Sequence, residues 1–118
     1  MTVKECYDAM GANYEEIISR LRTEERVKKF VLKILNDKSY DLLINSMEER
    51  NMEEAFRAAH TIKGVCQNLA LTRLYQSANE LADMLRGRQE YEEQMGPALE
   101  KVKEDYADMI EQIQKLEV

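Results

Sequence analysis

Apolar residues recur at steps of three and four along almost the whole chain, the repeat of helices that bury one face. No stretch alternates apolar and polar residues for long enough to predict a strand. The first helical segment runs from Val3 to Met10 and is expected to stop at Gly11, after which Asn13 caps "YEEIISRL", with Ile17, Ile18 and Leu21 turned inward. Thr23 is the expected N-cap of "EERVKKFVLKILND", where Val27, Phe30, Val31, Ile34 and Leu35 form the apolar stripe and acidic residues fill the first turn.

"NDKS" (36–39) reads as a turn, with Ser39 capping a helix through about Arg50 whose inner residues are Leu42, Leu43 and Met47. Asn51 and Glu54 have the spacing of a capping box and open a helix to about Leu69. Thr72 is expected to cap the next, ending near Arg86 at Gly87, with Leu74, Ala78, Leu81 and Leu85 inward. After the polar connection "GRQEYEEQMGP", Pro97 suits the first turn of a helix starting near Gly96, where Leu99, Val102, Tyr106, Met109, Ile113 and Leu116 make a continuous seam. Four long helices joined by short turns predict an all-α, up-and-down antiparallel four-helix bundle in one domain, 1–118. Its core lies at about 39–117, and the helices of 3–36 serve as cover and part of the bundle.

Within the helix opened by Asn51, a step of about 100° per residue groups Ala55, Ala58, Ala59, Ile62, Cys66 and Leu69 on one side, the buried stripe. His60, Lys63, Gly64 and Gln67 fall on the outward side, and Phe56 lies at the edge between the two. Glycine inside a helix costs about 1 kcal/mol relative to alanine, so Gly64 is unexplained by local propensity. It would let another protein's surface approach the imidazole one turn away. Lys63, three residues after His60, is a flexible point charge within reach of anything bonded to the ring.

Composition narrows the role of this face. A formal net charge of −6 with no basic cluster opposes binding to nucleic acid or to an anionic membrane, and no apolar run approaches a membrane span or a signal peptide. A protein partner and a cytoplasmic location are expected. Cys6 and Cys66 lack metal-ligand spacing and are expected to be reduced thiols.

"AAHTIKGVCQNLALTRL" resembles the signature of histidine-containing phosphotransfer (HPt) domains, His-x-aliphatic-Lys-Gly followed by small residues and a Leu-Gly pair. The upstream "NMEEAFRA" and downstream "ANELADMLR" extend the likeness. The resemblance implies a phosphorelay intermediate: His60 accepts a phosphoryl group from a receiver-domain aspartate, or from a kinase, and passes it to another receiver. It also implies that Lys63 offsets the phosphate charge, that Gly64 allows the receiver to approach, and that Gln67 orients ring or phosphate. Phe56, read from its place off the centre of the buried stripe, either completes the core edge or begins a partner-docking patch. Partners would be response-regulator receiver domains and a hybrid histidine kinase. Ala70 stands where the family has glycine, and Val65-Cys66 replaces a smaller pair.

Phosphoryl transfer needs in-line positioning and charge compensation more than elaborate protein chemistry, and imidazole is a neutral-pH nucleophile. No glycine-rich nucleotide loop is present, so the chain is expected to be a phosphocarrier rather than an enzyme, without a cofactor or metal of its own. Mg²⁺ would sit on the partner receiver. A di-iron bundle enzyme would need Glu-x-x-His on two helices, whereas there is one histidine with Arg57 at i−3. A nucleophilic hydrolase fails because Cys66 projects away from His60. The alternatives left are a non-phosphorylated adaptor that binds receivers, and a homo-oligomeric module using the final seam. A monomer is expected, and the initial methionine and closing helix suggest a diffusing carrier rather than a fragment of a kinase.

Overall fold

Short polar residues set the starts of the N-terminal helices. In the computed structural model, which describes residues 1–116, Thr2 opens α1 (Val3–Ala9) with a full capping box: its hydroxyl accepts from the Glu5 N–H while Glu5 accepts from the Thr2 N–H. Asn13 caps α2 (Tyr14–Leu21) through the Glu16 N–H, and Thr23 caps α3 (Glu24–Leu32) through the Arg26 N–H. The third helix is shorter than its apolar pattern suggests, because Lys33–Asn36 tightens into a 3-10 turn.

The bundle proper consists of α4 (Ser39–Glu48), α5 (Met52–Asn68), α6 (Thr72–Leu85) and α7 (Met95–Gln114). Tyr40 near the start of α4 stacks on Tyr106 in the second half of α7, with ring centroids 3.8 Å apart. Arg73 at the start of α6 pairs with Asp108 at 3.0 Å. Both contacts join the beginning of one helix to the later part of its neighbour, as antiparallel packing requires. The described residues contain no strand, and the expected core range ends on residue 117, outside them.

Several local expectations shift. Ser39 is the first residue of α4 rather than its cap: Lys38 occupies the cap position, and the Asp37 carboxylate accepts from the Ser39 N–H at 2.7 Å, satisfying a donor at the helix start. Thr72 is likewise inside α6, after Leu71. The capping box at α5 is half formed: Asn51 accepts from the Glu54 N–H, but the Glu54 carboxylate turns to Arg57 at 3.2 Å. Leu42, expected inward, is 43% exposed, since the inner positions of α4 are Leu43, Ser46 and Met47. Phe30, also expected inward, is 41% exposed at the rim of α3, whose inward residues are Val27 and Val31.

The seam of α7 is used within the chain: Val102, Met109, Ile113 and Leu116 are buried in the core with Leu43, Ala59, Ile62, Leu74 and Leu81. Burial of such side chains contributes roughly 1.5–3 kcal/mol each.

The N-terminal helices close the end of the bundle where α5 meets α6. Arg20 of α2 donates to the carbonyls of Gln67 and Asn68 at 2.7 and 3.0 Å. The buried Tyr7 hydroxyl donates to the Leu69 carbonyl at 2.8 Å, and the Asn13 N–H donates to that of Ala70 at 2.9 Å. Carbonyls at and just beyond the last turn of α5 thus receive donors from the first 20 residues, one of them a cation suited to a helix C-terminus.

Candidate functional site

The face that carries His60 follows from how α5 is buried. Ala55, Ala58, Ala59, Ile62 and Cys66 fill the inner stripe with small and medium side chains, which lets α4 and α6 pack close on either side. The turn between them then has to be exposed. His60 and Gln67 are exposed, and Phe56, Lys63 and Gly64 are half-buried. Among the described residues, neither the imidazole nor the Lys63 ammonium has a hydrogen-bond or ion-pair partner in this chain.

Side chains on a helix lean toward its N-terminus. His60 therefore leans over Phe56, four residues earlier, and the rings are stacked with centroids 5.7 Å apart and planes inclined by 28°. Lys63, half-buried, lies three residues on from His60 on the same helix. A side chain begun at Gly64 would meet nothing within 4 Å among the described residues beyond its own stretch of helix, so packing between helices does not demand glycine there. What the missing side chain provides is clearance for something outside.

Gln67 lies on the same face but two turns on, roughly 10 Å along the axis. Its backbone carbonyl is held by Arg20. On the other flank of the face, Arg57 pairs with both Glu53 and Glu54, at 3.3 and 3.2 Å.

One residue near His60 was not singled out from the sequence. Arg86, at the end of α6, places its guanidinium carbon 5.2 Å from the centre of the Phe56 ring and pairs with Asp83 at 3.3 Å. It stands 26 residues from His60 in sequence, so only the packing of α6 on α5 reveals it; no local motif points to it.

A groove of about 370 Å³ does not include His60. It lies along the opposite flank of α5, between Leu21, Phe30, Ile34, Val65 and Leu69. A group transferred between two proteins is exchanged across an exposed face, so the histidine does not need a pocket. Among the described residues no three His, Cys, Asp or Glu side chains gather as metal ligands, and no helix is long and apolar enough to cross a membrane. Burial pushes the Cys66 thiol up to about 12, which leaves it protonated and inert beneath the same helix.

The expected departure at Ala70 has a clear structural form. Leu71 N–H donates to the Cys66 carbonyl and Ala70 N–H to that of Gln67, a Schellman end to α5 in which Ala70 takes φ +56°. Alanine fills the left-handed position that glycine fills more easily.

The family model for the Hpt domain matches residues 13–116, nearly the whole chain. No curated protein and no solved structure matches the sequence.

Proposed function

Because the chain belongs to the Hpt domain family, which implies histidine phosphotransfer in phosphorelay signalling, we propose that His60 is the phosphoacceptor of a cytoplasmic, monomeric carrier. An imidazole nitrogen attacks the phosphorus of an aspartyl phosphate on a receiver domain, or of a phosphorylated kinase. The bond to the donor breaks, the leaving group keeps the electron pair, and a P–N bond forms as the ring gives up its proton. Reversal onto a second receiver's aspartate completes the relay.

The observation that carries this reading is the arrangement of His60, Lys63 and Gly64 on one helix: an exposed imidazole and, three residues on, an ammonium, neither with a partner among the described residues, and open space at Gly64 one turn on. The Lys63 charge offsets the phosphoryl oxygens, a role in which compensation matters more than covalent chemistry. Gly64 admits the partner, and Gln67 orients the phosphate once the partner has closed over the face. Mg²⁺ belongs to the receiver, and so does the carboxylate that holds the phosphate before transfer.

Incubation with a panel of phosphorylated receivers should move acid-labile, base-stable phosphate onto the chain, and His60→Gln should take none. Binding of receivers without transfer would favour the adaptor reading instead. Equal labelling of His60→Gln would remove His60 from the mechanism.

A further inference from the structure

The exposed imidazole of His60 lacks a hydrogen-bonding partner among the described residues, yet one side of it is not free. Phe56 stacks against it at 5.7 Å. Phe56 is itself anchored: it is half-buried, packs against the core, and has the Arg86 guanidinium 5.2 Å from its ring centre. Arg86 is tied in turn to Asp83. A fixed aromatic surface therefore restricts a side chain that would otherwise rotate freely about two torsions.

We propose that Phe56 is a positioning residue for phosphoryl transfer, its ring holding the imidazole of His60 in one orientation before a donor arrives. This rests on the reading of His60 as the phosphoacceptor. In-line displacement at phosphorus requires the attacking nitrogen to lie opposite the leaving group, and orientation of that kind is supplied in advance by contact with Phe56. The half-buried ring packs against the core on one side and against the imidazole on another, so its contribution falls on the chemical step rather than on docking.

The test separates the two steps with a small donor. Phosphoramidate phosphorylates imidazole without any docking surface: the ring nitrogen attacks phosphorus, the P–N bond to the donor breaks, ammonia leaves with the electron pair, and the ring proton goes to water. Phe56→Leu keeps an apolar side chain of similar bulk but removes the flat surface, and Phe56→Tyr restores it. The expected result for Phe56→Leu is a drop of about five- to tenfold in the phosphoramidate rate and in the saturating rate with a phosphorylated receiver, with KM for the receiver changed less than about twofold. Phe56→Tyr should stay within about twofold of the parent in both.

The His60 ring protons should also shift downfield in Phe56→Leu, as ring-current shielding is lost, while core resonances stay in place. Parental rates in Phe56→Leu, or a change confined to KM, would overturn the proposal and return Phe56 to a docking role. Failure of the underlying reading shows differently, as label in His60→Gln or as a parent protein that no donor labels.

Discussion

At Gly64 a helix interior carries glycine, a poorer helix former than any residue but proline, and no neighbour among the described residues occupies the space a side chain would fill. Replacing it should therefore help the fold and harm the function. Gly64→Gln is expected to raise stability by about 0.5–1 kcal/mol in urea denaturation, from helix propensity, while slowing transfer from a receiver at least about tenfold. Loss of stability, or unchanged transfer, would refute the clearance argument. Lys63→Ala should leave stability within about 0.5 kcal/mol and slow transfer or shorten the lifetime of the phospho-form, followed by loss of label with time. These residues were legible in the sequence because they share one helix, where a count of 100° per residue places every side chain. Arg86 was not, since its approach to Phe56 depends on how α6 packs.

Among the elements, side-chain capping was readable where the cap is local and uncontested, as at Asn13, Thr23 and Asn51. It misled at Ser39, where the helix begins one residue earlier than a Ser39 cap would allow and the Ser39 N–H is donated to the Asp37 carboxylate. Apolar periodicity found every bundle helix but not the width of each buried stripe, which depends on neighbours; Phe30 and Leu42 point out for that reason. The C-terminus of α5 gives the sharpest contrast. Ala70 holds a left-handed backbone, a conformation that costs a non-glycine residue roughly 1–2 kcal/mol, whereas Ala78 sits in the interior of α6. Ala78→Gly should lose about 2 kcal/mol, from propensity and a buried methyl together. At Ala70 the same change relieves the backbone and should come within about 0.5 kcal/mol of neutral. Equal losses at the two sites, measured by chemical denaturation, would mean that the left-handed turn is not strained in solution.

At the scale of the whole molecule, the N-terminal helices hold the end of the helix that presents His60, so the site and the fold share one set of contacts. Those contacts enclose two thiols. Burial raises Cys66 to about 12 and Cys6 to about 11 from an ordinary 9.0, and pushes the Tyr7 hydroxyl up as well. The folded chain keeps these protons while the unfolded chain releases them, so the contribution is full below pH 9.0 and is lost as pH rises toward about 11–12. Each such group adds up to about 1.4 kcal/mol of loss per pH unit. Urea midpoints should be nearly flat near neutral pH and fall above pH 9.0, with a shallower fall in Cys66→Ala; constant stability to high pH would contradict the buried-thiol account. The central claim is tested most directly by locating the phosphate after brief exposure to a phosphorylated receiver, using phosphorus NMR and fragment mass spectrometry under alkaline conditions. The account predicts one phosphoramidate-type signal, mapped to His60. A phosphate on any other residue, or none on a chain that demonstrably binds the receiver, would contradict it.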